Sequence, residues 1–232
     1  MKAYMAGDKS ARVEVLNSLG EPEWLWMNHF FREPQDWSAL EQAALELTQG
    51  RVLDVGAGAG TFALALQQRN RPVCAIDIAP EAVRIMQAQG VREAYAIDYF
   101  DLIGQGDFDT LFFMMNGIGI AGNLEGLERL FAHADHLLSP GGRIVLDSSD
   151  LSVQSPEALL HRGLQSAPDD RYSSVVYQLR FGQQIGQPYR WLFADPDMLT
   201  HAAHCQNFWV DIVLEEENGH YLAQAGRQRE RI

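Results

Sequence analysis

The sequence has little of what marks membrane, secreted or disulfide-bonded proteins. Its apolar runs fall well short of the roughly 20 residues that a membrane helix needs, and no apolar stretch follows the basic residues near its start. Its two cysteines, Cys74 and Cys205, have no second cysteine at redox or metal spacing. We therefore expect a soluble, cytoplasmic protein with no membrane partner and with both cysteines reduced in the core.

Basic residues are also few, since 18 Lys and Arg face 31 Asp and Glu and leave a formal net charge of -13. Such a charge repels a phosphate backbone, so we expect no nucleic-acid partner. Two histidine pairs have helical i,i+3 spacing, His133 with His136 and His201 with His204, but neither has an obvious third ligand nearby. The sequence therefore predicts no metal site.

What is present is typical of a globular α/β protein. Of the 232 residues, 47% are hydrophobic, which suffices for one large domain with a sizeable core. Between residues 51 and 149, short apolar runs alternate with amphipathic segments, the pattern of βαβ units around a parallel sheet. We place strands at 51–55, 72–77, 93–98, 109–115 and 143–147, with helices at 61–69, 80–89 and 123–138.

Segments on either side of this core complete a single domain, 1–232. Residues 1–48 are predicted to form an N-terminal helical lid, rich in aromatics from Trp24 to Trp37, with two short helices that meet near Pro34. Residues 150–194 are predicted to form a hairpin cap with strands at 172–181 and 189–193, joined by a glycine-bounded turn. Residues 195–226 read as a helix followed by a pair of strands, 208–215 and 220–225.

The most informative stretch is an apolar strand that runs into a glycine turn and then a helix, Val52-Leu53-Asp54-Val55-Gly56-Ala57-Gly58-Ala59-Gly60. Such glycines let a nucleoside-bearing ligand lie against bare backbone. The dinucleotide fingerprint would need a further glycine where Thr61 stands. A carboxylate such as Asp54 beside the turn suits a ligand with an ammonium group better than a pyrophosphate, although an NAD-dependent oxidoreductase remains an alternative.

The run from Leu53 to Gly60 resembles the first motif of the class I S-adenosylmethionine-dependent methyltransferases, and the likeness extends in order through most of the chain from about residue 37. The resemblance implies a Rossmann-like, seven-stranded, mainly parallel sheet with helices on both faces and the last strand antiparallel. It also implies S-adenosyl-L-methionine as cofactor. The first-motif residues that would hold this cofactor are Asp54, Gly56, Ala57, Gly58 and Gly60.

Later segments resemble further motifs of the same family. Asp77 resembles the acid that binds the ribose hydroxyls, at a spacing from Gly56 that suits this role. By the same resemblance Ile78 packs on adenine and Asp98 accepts from the adenine amino group, while Tyr99 could stack beside the base. Asn116 follows the fourth strand of the core, which in the family borders both the methionine part of the cofactor and the substrate.

The expected activity is methyl transfer to an unidentified small-molecule acceptor. A protein methyltransferase and a non-catalytic S-adenosylmethionine-binding protein remain alternatives. Because the cofactor supplies the reactivity of a direct displacement, no catalytic residue is assigned.

The N-terminal aromatics and the hairpin are expected to wall the acceptor pocket above the carboxyl edge of the sheet. The alternative is that the hairpin is an oligomer contact and that the aromatics only dock the first helices. The oligomeric state is open, and a homodimer is compatible with the sequence. The candidate acceptor-site residues are Trp26, His29, Phe30, Asp147, Tyr189 and Arg190.

Overall fold

A seven-stranded sheet forms the centre of the computed structural model, which describes residues 1–104, 106–154 and 173–228. Five neighbouring strands run parallel, and β12 runs antiparallel to both of its neighbours, β7 and β11. The seven-stranded, mainly parallel sheet expected from the sequence is therefore confirmed. In spatial order the strands are β11 (Phe208–Glu215), β12 (His220–Arg227), β7 (Leu138–Ser149), β6 (Phe108–Phe113), β3 (Val52–Val55), β4 (Val73–Asp77) and β5 (Glu93–Ala96).

Helices cover both faces of this sheet because its strands bury side chains on both sides. In β7, Val145 joins one hydrophobic cluster, whereas Ile144 and Leu146 join the other. On the Val145 face lie α2 (Ala39–Glu46), α3 (Thr61–Gln68) and α4 (Pro80–Gln89). On the other face lie α5 (Leu124–Leu137) and α7 (Pro196–Cys205), and two short helices complete the set, α1 (Lys2–Met5) and α6 (Leu151–Gln154).

A second, antiparallel sheet of five strands joins the two segments outside the core, and we call it the cover sheet. Its order is β10-β8-β1-β2, with β9 paired to β8. Strands from positions more than 150 residues apart are thus neighbours. The strands are β1 (Arg12–Asn17), β2 (Glu23–Trp26), β8 (Ser174–Phe181), β9 (Gln184–Ile185) and β10 (Tyr189–Leu192).

The predicted helical lid over residues 1–48 was wrong in most of its length. Apart from α1 and α2, this segment forms β1, β2 and two 3-10 turns, Met27–Phe31 and Pro34–Asp36. The run Glu23–Trp26 alternates side chains with a period of two, which is the strand period. The predicted hairpin falls on β8 and β10, which pair with each other, and β8 also pairs with β1; Tyr172 lies outside the described residues.

Two further observations concern the cysteines and the helices. Cys74 is buried, but Cys205 is exposed near the end of α7, so its predicted core position was wrong. Within the described residues, none of the helices combines the length and the apolar character that a membrane crossing requires.

Candidate functional site

A cavity of about 700 Å³ lies between the carboxyl edge of the main sheet and the cover sheet. The glycine turn after β3 forms its floor on one side, and the ends of β6 and β7 form it on the other. Ligands of open α/β sheets bind at this edge. The side chains from the cover sheet and the 3-10 turn before α2 that line it include Val15, Leu25, His29, Phe30, Arg32, Tyr177, Leu179, Tyr189 and Trp191.

The glycine turn holds left-handed backbone at three positions, with φ of 70° at Gly56, 58° at Gly58 and 84° at Gly60. A side chain on Gly56 would point into open space, so the bare backbone there faces the cavity. Gly60 does not line the cavity. A Cβ on Gly60 would come within 2.9 Å of Met86 and 2.8 Å of Val91, so this glycine allows α3 to pack against the next α/β unit.

Asp54 lies beneath this turn with 2% of its surface exposed, and its Oδ2 has no hydrogen-bond partner among the described residues. Burial raises the pKa of the carboxyl from 3.8 to about 7; a hydrogen bond from the Ala63 backbone opposes this rise and the charge of Asp77 adds to it. Buried acceptors are normally satisfied. An ammonium group over the turn would supply the missing donor, so this site fits the amino-acid end of the expected cofactor.

Asp77 ends β4 beside the turn and is half-buried. Its Oδ2 accepts from the Gly58 backbone nitrogen at 3.0 Å, and its Oδ1 accepts from Ala79 at 2.8 Å. The carboxylate thus fixes the turn, although Asp77 is not among the residues that line the cavity. Next to it, the Ile78 side chain is 71% exposed, an apolar surface open to a ligand.

The end of β5 brings one of its two predicted residues toward this edge. Asp98 is half-buried and its Oδ1 accepts from the Phe100 backbone nitrogen at 2.9 Å, which caps the 3-10 turn that follows. Tyr99 instead points into the core, where its hydroxyl donates to the Leu130 carbonyl and its ring packs edge-on against Phe113. The prediction that Tyr99 stacks beside a bound base was wrong, because this ring faces α5 and not the cleft.

Asn116 and Asp147 meet at the ends of β6 and β7, on the acceptor side of the cavity. The Asn116 backbone is left-handed, with φ of 55°, and its nitrogen donates to Asp147 Oδ1 at 2.8 Å. Its side chain donates to the Leu192 carbonyl and accepts from the Ser148 hydroxyl, at 2.8 and 2.9 Å. These bonds tie the main sheet to the cover sheet, and non-glycine residues keep such backbone only where their surroundings enforce it.

Asp147 also has a partner that the sequence analysis missed. Its Oδ2 lies 2.8 Å from Nε2 of His220, the first residue of β12. Burial raises the pKa of Asp147, although the hydrogen bond to His220 opposes this, and the same hydrogen bond raises the pKa of His220. Because β12 is antiparallel to β7, its first residue lies at the carboxyl end of β7; this position was a signal available in the sequence.

The 3-10 turn that contains His29 and Phe30 is anchored through the two adjacent carbonyls of these residues. The Thr61 hydroxyl, at the start of α3, donates to the Phe30 carbonyl at 2.6 Å. Arg32 donates to the His29 carbonyl. The same guanidinium forms a two-point ion pair with Glu41, which is 6% exposed. Both His29 and Phe30 therefore stand at the cavity on a fixed turn.

In β10 the parity of the strand decides which side chains reach the cavity. Tyr189 pairs with Tyr177 and both line the cavity, as does Trp191 two residues along β10. Arg190 stands on the opposite face of β10 and does not line it, and neither does Trp26, the last residue of β2. The Trp26 ring is 44% exposed and lies 4.8 Å from the Arg12 guanidinium. The structure therefore does not bring Trp26 and Arg190 to this cavity, and for Arg190 the reason is the alternation of side chains along β10.

The structure changes one part of the argument against a metal site. Near His201, whose neighbourhood was predicted to lack a further ligand, the structure brings Cys205 and Glu128 together, with potential ligand atoms within 4.8 Å of one another. This group lies on α7 and α5, away from the cavity.

The chain resembles known proteins both in sequence and in structure. Residues 27–190 match the model of a family described as a methyltransferase domain. The structure superposes on a SAM-dependent methyltransferase from Bacteroides fragilis in complex with S-adenosyl-L-homocysteine, with a TM-score of 0.84 and 33% identity, over 97% of this chain and 91% of that one. An amino pentose methyltransferase from Micromonospora echinaspora, at 16% identity, 90% and 100% coverage and a TM-score of 0.57, shares the fold.

Curated relatives match a shorter stretch. The ubiquinone biosynthesis O-methyltransferase of Xylella fastidiosa is 33% identical over 112 residues, which cover 44% of this chain and 43% of the relative. The match thus spans less than half the length of that protein. Together with the sheet order and the glycine turn, these likenesses show that the chain belongs to the class I methyltransferases and is an enzyme that uses S-adenosyl-L-methionine.

Proposed function

We propose that the enzyme methylates a small, largely apolar molecule that binds in the cavity beneath the cover sheet. The observation that carries this proposal is the cover sheet itself, whose inner face turns an open sheet edge into a walled cavity. Apolar walls with a few polar tips are the usual make-up of a small-ligand site. A protein acceptor would need an open groove, so this alternative is disfavoured.

The proposed cofactor position follows the polar groups of the main sheet. Asp54 and the turn at Gly56 to Gly58 hold the amino-acid end, Asp77 holds the ribose, and Ile78 and Asp98 contact adenine. The methyl group then faces the cavity between Asn116 and the cover sheet. A displacement at this methyl benefits from excluded water and from fixed alignment, and the cover sheet would provide both.

The curated relatives support a small acceptor, because their names describe an O-methyltransferase of ubiquinone biosynthesis. Their substrate is not carried over, since the match covers 43% of that protein. The catalytic reading is preferred to cofactor binding alone because the cavity continues past the cofactor turn to Asp147 and the aromatic wall.

The test compares the two faces of one strand. Tyr189→Ala and Trp191→Ala remove inner-face side chains, whereas Arg190→Ala changes the opposite face of β10 and serves as control. Burial of a large apolar side chain contributes about 1.5–3 kcal/mol, so each inner-face variant should raise the acceptor KM roughly 10- to 150-fold. Cofactor affinity should stay unchanged, and the control should stay near wild type.

The acceptor itself is found with methyl-labelled cofactor and a fractionated cell extract. Label should enter the low-molecular-weight fraction. Label confined to protein would contradict the proposal, as would equal effects of the inner-face and control variants.

A further inference from the structure

The geometry points to His29 as the general base of the reaction, taking the proton from a hydroxyl on an aromatic ring of the acceptor. This inference rests on the proposed small-molecule function and adds to it the acceptor atom and a catalytic residue. Two observations carry it: an imidazole without a hydrogen-bond partner among the described residues, on a fixed turn, and a set of aromatic side chains that line the same cavity.

His29 is placed by a turn whose backbone is anchored at His29 and at Phe30. The Phe30 ring lies 3.8 Å from where a Cβ on Gly58 would stand, so this turn rests directly on the cofactor-binding glycines. The bond from Arg32 to the His29 carbonyl and the bond from Thr61 to the next carbonyl, that of Phe30, fix the backbone at His29 and at the residue that follows it. The imidazole therefore stands at the border between the cofactor turn and the acceptor part of the cavity.

The ring of His29 is free to accept a proton. Within the described part of the chain, neither of its ring nitrogens has a hydrogen-bond partner, and its one ring neighbour is Phe30, edge-on at 5.9 Å. Burial and the charge of Arg32 lower the pKa of this histidine, while Glu41 opposes them. Arg32 and Glu41 pair with each other. The imidazole is thus uncharged at neutral pH, the form that a general base requires.

The acidic side chains that line the cavity do not form a binding site for a cationic amine. Glu41 is paired with Arg32 and Asp147 with His220, while Glu23 stands on an exposed part of β2. Apart from the buried acid beneath the glycine turn, the described lining therefore offers no enclosed, unpaired carboxylate for an ammonium group. This favours an acceptor that arrives uncharged and loses a proton as it reacts.

The aromatic side chains of the cover sheet suit a planar ring as ligand. Tyr177, Tyr189 and Trp191 come from one face of two neighbouring strands, and successive ring centroids are 6.1 Å apart. An aromatic hydroxyl, with a pKa near 10 as in tyrosine, is also acidic enough for imidazole to assist its ionisation.

The proposed step balances without a further reactant. The acceptor O–H bond breaks and its proton passes to a ring nitrogen of His29, while the oxygen forms a bond to the methyl carbon. The methyl–sulfur bond breaks and its electron pair returns to sulfur, which turns the sulfonium into a thioether. His29 is exposed enough to release the proton to water afterwards.

The test uses the full chain with two ring hydroxyls of different acidity, catechol and 4-nitrocatechol. Wild type should methylate both. His29→Gln should lower kcat about 100- to 10,000-fold with catechol, with KM little changed, and should act within a few fold of wild type on 4-nitrocatechol, which is already ionised at pH 8. His204→Gln, an exposed histidine outside the cavity, is the matched control and should match wild type with both.

Other outcomes overturn the inference. Equal losses with both hydroxyls would mean that His29 only shapes the cavity, and unchanged rates would remove it from the reaction. Methylation of aniline or benzylamine without transfer to either hydroxyl would overturn the acceptor atom, and so would no transfer at all by a protein that binds the cofactor. If label instead enters only a protein fraction, the proposed small-molecule function fails; calorimetry with S-adenosylmethionine separates these cases from loss of cofactor binding.

Discussion

Replacement of Asp54 by asparagine should stabilise the cofactor-free enzyme at alkaline pH and weaken its hold on the cofactor. The carboxyl is 2% exposed, one of its oxygens lacks a partner among the described residues, and its pKa is raised from 3.8 to about 7. Because the folded state keeps this proton longer than the unfolded chain, the carboxyl contributes most stability below pH 4. That contribution is lost as pH rises to about 7.

The magnitude follows from the shift. About three pKa units, at about 1.36 kcal/mol each, correspond to about 4 kcal/mol over the full range of pH. Between pH 5 and pH 8 the loss is about 3 kcal/mol. Asp54→Asn carries no charge to bury, so its free energy of unfolding, relative to wild type, should rise by this amount over that interval. For a chain of this length the relative melting temperature should rise by about 5–10 °C.

Cofactor binding should respond in the opposite sense. An ionised Asp54 would pair with the ammonium group of S-adenosylhomocysteine, and loss of such a charge-assisted bond costs about 1.5–3 kcal/mol. The variant should therefore bind this compound roughly 10- to 150-fold more weakly at pH 8. In wild type, affinity should increase from pH 6 to pH 8 as the carboxyl ionises.

Thermal unfolding from pH 5 to pH 8, with and without S-adenosylhomocysteine, measures both effects. Asp211→Asn, an exposed acid on the outer strand β11, is the matched control and should follow wild type. Parallel pH profiles for Asp54→Asn and wild type would refute the argument from burial. Equal stabilisation of both proteins by the ligand would refute the pairing with the ammonium group.

Three further changes test other parts of the site. Asp77→Ala should weaken cofactor affinity about 10- to 150-fold in a folded protein, measured by calorimetry; unchanged affinity would remove it from the site. Gly119→Ala should destabilise the enzyme by about 1–3 kcal/mol and raise the acceptor KM, because the new Cβ would lie 2.1 Å from the Trp191 ring nitrogen; denaturant unfolding without a shift would contradict this. Arg32→Met should cost about 3–5 kcal/mol by leaving Glu41 buried and unpaired, and the same measurement on the double variant with Glu41→Leu should recover much of the loss.

The main sheet was predictable because each of its strands has a recognisable local sequence pattern. Short apolar runs such as Val52–Val55 and Val73–Asp77 are bounded by turn residues, and βαβ connections leave few possible topologies. The acids at strand ends were found for the same reason. Tyr99 was misplaced because a 3-10 turn begins there, and side-chain direction within such a turn does not follow the strand alternation that precedes it.

The cover sheet was not predictable from local pattern. Its central pairing, β1 with β8, joins Glu14 to Arg180 across more than 160 residues, and a single sequence carries no record of such a partner. The aromatic run at Trp24 and Trp26 belongs to β2, which pairs with β1 at the edge of this sheet, and was read as helix. The parity of β10, which turns Arg190 away from the cavity, follows from its register with β8 and was hidden for the same reason.

Different parts of the chain would contact the cofactor and the acceptor. In the proposed site, cofactor contacts would come from the turns of the main sheet, whereas alternate positions of β1, β8 and β10 would contact the acceptor. Residues such as Val15, Leu179 and Tyr189 can therefore change without altering a main-sheet strand or its hydrogen bonds. A library restricted to these inward positions should yield enzymes that accept different molecules yet melt and bind S-adenosylmethionine alike, which makes the cover sheet an exchangeable specificity module for laboratory evolution.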